Sequence, residues 1–233
     1  MTALAFAAYH GHQECVRLLI KNGADVERRE GYGLTPLMTA CQAGHHIIAR
    51  ILIEDGKAEV NTADAEMCTA LGHACRFGRT ECVQLLLEKK ADVEVPDRNG
   101  ATPLMAACKN GYAEAAGLLI EAGADVDKED FAGNTALWLA AHNGHVACAK
   151  LLIDEGADVF HMNRSEVGIL QAAKLGEAQL NEESDNHRLV AQMLVEASKS
   201  GGTGTEKFKS RRTDLWSYRI DPIPPPARTK NPQ

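Results

Sequence analysis

Thr35-Pro36-Leu37-Met38-Thr39-Ala40 returns two periods later as Thr102-Pro103-Leu104-Met105-Ala106-Ala107. Outward from these stretches, threonine recurs at Thr2, Thr35, Thr69, Thr102 and Thr135, and a glycine follows each after nine residues: Gly11, Gly44, Gly78, Gly111 and Gly144. The glycines lie 33, 34, 33 and 33 residues apart. Two positions held in phase five times define a structural repeat. The one-residue excess falls in Glu54-Asp55-Gly56-Lys57-Ala58-Glu59, against the shorter Lys21-Asn22-Gly23-Ala24-Asp25. A loop absorbs such an insertion at little entropic cost.

Each unit reads as two helices and a turn. Threonine is a good N-cap, and Pro36 and Pro103 fit the first helical position, where a missing N–H costs nothing. The first helix runs about two turns to the glycine, which takes a left-handed C-terminal conformation. The second helix carries apolar residues at i, i+3 and i+4, as in Cys15/Leu18/Leu19, Ile48/Ile51/Leu52 and Cys82/Leu85/Leu86. It closes at Gly23, Gly56, Gly123 and Gly156, with Lys90 replacing glycine in the third unit.

Thr35-Pro36-Leu37 and Thr102-Pro103-Leu104, with Gly23-Ala24-Asp25-Val26 as closing turn, resemble the ankyrin signature. The repeat length agrees. The resemblance implies an all-α, helix-turn-helix solenoid over residues 1–197, followed by a disordered Gly/Pro-rich basic tail over 198–233. The units expected are about 2–30, 31–64, 65–97, 98–130, 131–163 and a degenerate 164–197. In that last unit Ile169–Gly176 and His187–Leu194 match the two helices, with about ten extra residues between them.

Three departures stand out. The histidine that follows the signature leucine in this family is replaced by Ala5, Met38, Gly72, Met105 and Trp138, so its hydrogen bonds are expected to be missing. Met67 stands where Gly33, Gly100 and Gly133 occur, which predicts a distorted third turn. Met1 falls where a first hairpin should already have been made, so the first unit lacks its turn. Leu4 and Leu18 at that end look like interior residues, and an uncapped end exposes core.

Only 11 of 233 residues are aromatic, in keeping with thin, closely packed helices. No stretch approaches the ~18 apolar residues that cross a bilayer. The opening MTALAFAAYHGHQE has no basic segment and does not read as a secretory signal. The cytoplasm, or the nucleus, is the compartment expected. Residues 198–233 carry net +5 and the remainder net −12. An acidic body argues against nucleic acid as the main partner, because nucleic-acid modules present a basic face.

The period also accounts for most metal- or redox-like residues. Cys15, Cys82 and Cys148 head the second-helix stripe, while Cys41, Cys75 and Cys108 stand where other units place Ala8 and Ala141. Six of the seven cysteines are therefore expected to be small packing residues, leaving Cys68 in a turn as the reactive thiol. Cysteines two repeats apart are beyond disulfide reach. His12, His45 and His145 each follow an inter-helix glycine, a structural and not a ligand pattern. No GxSxG, HExxH or phosphate loop is present. No catalytic residue, metal or cofactor is expected.

Binding remains. The variable positions are the turn tips and the residues before the inter-helix glycine, and by the resemblance these line a concave partner surface. The candidate contacts are Tyr9, Tyr32, Arg76, Phe77, Arg98, Lys109, Asn110, Phe131, His142 and Asn143. Tyr and Arg are typical interface anchors. The function expected is a non-catalytic scaffold or adaptor for another protein. The alternative is the targeting or regulatory part of a larger ankyrin-containing enzyme or channel, which an in-frame coding sequence upstream of Met1 would favour. In the tail, Arg219, Pro222 and Pro225 have the RxxPxxP spacing read by polyproline-binding domains.

Overall fold

The computed structural model describes residues 1–179 and 185–199. Within them twelve helices follow one another: α1 (Ala3–Tyr9), α2 (Gln13–Lys21), α3 (Pro36–Ala43), α4 (His46–Glu54), α5 (Ala70–Arg76), α6 (Thr80–Glu88), α7 (Pro103–Lys109), α8 (Ala113–Glu121), α9 (Ala136–His142), α10 (Val146–Asp154), α11 (Ile169–Gln179) and α12 (Asp185–Lys199). Odd-numbered helices pack on odd and even on even along the array, and each odd helix packs on the even helix that follows it. The described residues contain no strand. The turns close instead through isolated bridges, Glu30 with Leu34, Ala63 with Thr69, and Met162 with Gly168.

Thr2, Thr35, Thr69, Thr102 and Thr135 are the N-caps of α1, α3, α5, α7 and α9, each accepting the N–H three residues on at 3.2–3.3 Å. The bonds expected to vanish with the missing histidine are partly replaced. Met38 Sδ and Met105 Sδ accept the Thr35 and Thr102 backbone N–H at 3.4 Å, closing a reciprocal cap. One leucine per repeat, Leu37, Leu71, Leu104 and Leu137, then lies fully buried beside Leu52, Leu86, Leu119 and Leu152 of the outer helices. Burying each is worth about 2 kcal/mol.

The third turn is not distorted, contrary to the sequence expectation. Met67 takes φ +59°, the left-handed conformation of its glycine counterparts. Its frame is over-determined: Met67 N–H donates to Asp64 O at 3.1 Å, and Asp64 Oδ1 accepts the N–H groups of Glu66 and Cys68. Local strain of this kind persists where surrounding bonds hold it. In the second closing loop the left-handed residue is Lys57, not Gly56; a Cβ on Gly56 would lie 2.7 Å from Leu52 O.

Lys90 sits at φ +60° with no glycine to relieve it. Lys90→Gly should therefore stabilise the array by about 1 kcal/mol, read as a higher midpoint in urea. A lower midpoint would mean that the loop does not need a left-handed residue.

Three further expectations change at the ends. Leu18, taken as interior, is 61% exposed, whereas its counterparts Ile51 and Leu85 are buried under the preceding repeat. Cys15, expected to be buried, is exposed for the same reason. In the sixth unit the extra residues do not all form a loop, because α11 runs on to Gln179 and α12 begins at Asp185.

Candidate protein-binding surface

The turn tips are bonded in series. Ala65 N–H donates to Tyr32 O (2.8 Å), Arg98 to Glu66 O (2.8 Å), Phe131 to Asn99 O (2.9 Å) and Arg164 to Ala132 O (3.0 Å). Behind every tip after Tyr32 stands a side chain that the sequence reading overlooked. Asp64, Asp97, Asp130 and Asn163 each use Oδ1 to accept two N–H groups of their own turn, at 2.8–3.0 Å. Their 33-residue spacing was the available signal. Such Asx bonding fixes the tip backbone without consuming its outward side chains. Tyr32 is 77% and Phe131 64% exposed, with Met67 exposed between them. Arg98 folds back, donating to Ala65 O at 2.6 Å and pairing with Glu66 at 3.3 Å.

The second row lies just before the inter-helix glycines, and the next repeat holds it at four of the five positions, the exception being Arg76-Phe77, where Tyr112 packs over Gly78. His45 Nε2 donates to Tyr9 O (3.0 Å), Arg79 Nε to Gln42 O (3.1 Å), His145 Nε2 to Lys109 O (3.0 Å) and His187 Nε2 to His142 O (3.1 Å). The histidines after the glycines are thus seam residues, and the glycines clear their path. A Cβ on Gly44 would stand 2.9 Å from Arg79 Cδ, and one on Gly111 2.7 Å from His145 Nδ1.

The side chains of this second row are unequally free. Tyr9, Phe77 and Lys109 are exposed, and Lys109 makes no ion pair among the described residues. Arg76 is half-buried and reaches Asp97 at 3.3 Å. His142 stacks on Trp138 with ring centroids 5.1 Å apart and bonds Ala172 O at 3.3 Å. Asn110 and Asn143 turn inward, donating to Ala106 O (2.7 Å) and Leu139 O (2.8 Å) of their own helices, so their amides cap helix ends. The tail residues Arg219, Pro222 and Pro225 lie outside the described residues.

Between the third and fourth repeats Gly72 leaves a notch where Met38 and Met105 fill the equivalent space. Its volume is about 10 Å³, room for one water at most, and Cys68, Gly72, Arg76, Asp97 and Ala106 line it. Cys68 Sγ occupies the missing side chain's place, 2.7 Å from where a Gly72 Cβ would stand. The thiol expected to be reactive is therefore buried, and burial pushes it up to about 11. Next to it, His73 Nε2 bonds Asp64 Oδ2 at 2.8 Å, while His73 Nδ1 is buried without a partner. Burial holds the imidazole below its ordinary value, against the pull of Asp64. Cysteine, histidine and aspartate thus meet here, but the thiol bonds Thr69 O at 3.7 Å and is far from ionised at neutral pH, so the trio braces the turn. Among the described residues no group of three or more His, Cys, Asp or Glu could hold a metal ion. No helix among them is long and apolar enough to cross a membrane.

These environments fix an order of thiol reactivity. In the native protein Cys15 should alkylate first and Cys68 at least tenfold more slowly, followed by mass spectrometry of the digest. Without added oxidant, denaturing alkylation should block all seven thiols with no prior reduction. Fast native labelling of Cys68 would contradict its placement.

A family model described as "Ankyrin repeats (3 copies)" matches residues 1–64, 57–130 and 91–163. Among similar proteins, the ankyrin repeat and KH domain-containing protein mask of Drosophila melanogaster is 41% identical over 90 residues, which is 38% of this chain and 2% of that protein. The E3 ubiquitin-protein ligase XBAT33 of Arabidopsis thaliana is 42% identical over 85 residues, 36% of this chain and 16% of the ligase. Protein phosphatase 1 regulatory subunit 27 of Homo sapiens is 45% identical over 64 residues, 28% of this chain and 42% of the subunit. The chain thus spans less than half the length of each of these relatives.

Proposed function

The chain belongs to the ankyrin repeat family, whose repeats serve protein–protein interaction, and from that premise we propose that it is a non-catalytic scaffold or adaptor in the cytoplasm or nucleus. Its partner lies across the inner-helix and turn-tip surface of repeats two to four and the first turn tip of the fifth, at Phe131. The observation that carries this reading is the pairing of a rigid backbone with free side chains. Tip backbones, and the pre-glycine backbones at Gln42 and Lys109, are tied repeat to repeat, while Tyr32, Lys109 and Phe131 project unpaired among the described residues and Phe77 stands exposed at the end of its own helix. Pre-ordered aromatic and cationic anchors bind with little entropy loss. Net −12 over residues 1–197 favours a partner that is basic overall. Arg76 and Lys109 favour one that also presents an acidic or aromatic group at the centre.

A second reading draws on the relatives, in which the matched repeats occupy 2–42% of the whole protein. The same surface then belongs to the targeting or regulatory part of a longer protein. Affinity capture from a cell extract tests the shared claim, with the parent chain and the triple variant Tyr32→Ser, Phe77→Ser, Phe131→Ser as baits. A protein retained by the parent and lost from the variant, at unchanged helical circular dichroism, is the expected result. Equal retention by both would remove the site from this face.

A further inference from the structure

We propose that Cys41 with Cys82, and Cys108 with Cys148, are redox staples: an oxidant closes each pair as a disulfide and locks one seam between neighbouring repeats. Counting cysteines along a single helix position misses these pairs, because each joins an inner helix to the outer helix of the next repeat. Cys41 lies in α3 and Cys82 in α6; Cys108 lies in α7 and Cys148 in α10. All four are completely buried.

The seam bonds bring them together in the same way twice. Arg79, the N-cap of α6, donates to Gln42 O, the residue after Cys41, and Cys82 follows Arg79 by three positions. His145, the N-cap of α10, donates to Lys109 O, the residue after Cys108, and Cys148 follows His145 by three. Glycines Gly44 and Gly111 provide the close approach at both seams. Within each pair the two thiols are close enough to perturb one another, which raises Cys41 and Cys108 and lowers Cys82 and Cys148. The other seams lack this match: the same register sets Ala8 against Ile48, and Cys75 against Ala115.

The step balances with a peroxide as oxidant. One thiolate sulfur attacks a peroxide oxygen, the O–O bond breaks, and a sulfenic acid and one water form after proton transfer. The second thiol's sulfur then displaces the sulfenic hydroxyl, forming the S–S bond and releasing a second water. Two thiols lose two electrons and two protons; one peroxide becomes two waters. The neighbouring thiol, and then burial, raise the Cys41 and Cys108 thiols, so attack waits for the seam to open. In a stack held by nearest-neighbour contacts such openings are local and leave the other seams intact. Closure ties residues about 40 positions apart and restricts the unfolded chain.

The full chain is treated with hydrogen peroxide below its melting temperature, quenched by alkylation, digested and read by mass spectrometry. Cross-linked peptides Cys41–Cys82 and Cys108–Cys148 should form, with two hydrogens lost per bridge. The melting temperature should rise by several degrees and return on reduction with dithiothreitol. Cys41→Ala and Cys108→Ala each remove one bridge and leave the other; alanine already occupies this position as Ala8 and Ala141, so both should fold. Three results would overturn the proposal: both pairs staying reduced while Cys15 is oxidised, bridges running along the inner row through Cys75, or Cys15-linked dimers alone.

Discussion

Gly176→Ala should destabilise the sixth repeat by about 3 kcal/mol or more while the first four repeats stay folded. A Cβ at Gly176 would overlap the carbonyl oxygen of His142 and stand 2.7 Å from His187 Nε2. The first of these neighbours is backbone at the end of α9, which cannot turn aside as a long side chain does. The inserted methyl must push α11 off α9, and with it the bond from His187 to His142 O that seats α12. Gly23→Ala gives the control. Its φ of +82° carries the left-handed penalty, but nothing lies within 4 Å of the new atom, so about 1 kcal/mol is expected. Hydrogen exchange resolves where the damage falls: Gly176→Ala should accelerate exchange in α11 and α12 and leave α1 to α6 unchanged. Equal costs for the two variants would refute the close crossing of α9 and α11.

The threonine and glycine period made the helix pairs, the caps and the buried second-helix stripes Ile48/Ile51/Leu52 and Cys82/Leu85/Leu86 readable from the sequence alone. It also explained His45 and His145 as structural residues, although not as donors to the preceding repeat. What remained hidden depends on two positions at once. Cys68 is buried because Gly72 leaves a gap beside it, a relation that neither residue shows by itself. The Cys41–Cys82 pair is an inner position facing an outer one in the next unit, invisible to counting at a fixed period. Met67 keeps its turn because Asp64 bonds two of its N–H groups, so a local propensity is overridden by neighbouring bonds. For the candidate surface, the sequence located the exposed aromatics Tyr32, Phe77 and Phe131. It could not show that Asn110 and Asn143 spend their amides on helix ends, or that Arg98 lies along the preceding tip.

The concave-surface reading stands or falls on repeats two to four, where Tyr32, Arg76, Phe77 and Lys109 come from three consecutive units. Neighbouring units stand ~10 Å apart, so on this reading the four would span ~20–30 Å, enough for a peptide or one helix face. Arg76 and Phe77 are the central pair. Arg76 is partly screened and its ion pair with Asp97 adds little to folding, since Asp97 Oδ1 keeps both backbone bonds without it. Titration of the captured partner against the parent chain, Phe77→Ala and Arg76→Ala, with circular dichroism on each, is therefore the most direct measurement. Each variant should lose ~1–3 kcal/mol of binding, roughly 5- to 150-fold in Kd, at an unchanged helical signal; parental affinity in both variants would contradict a site on this face.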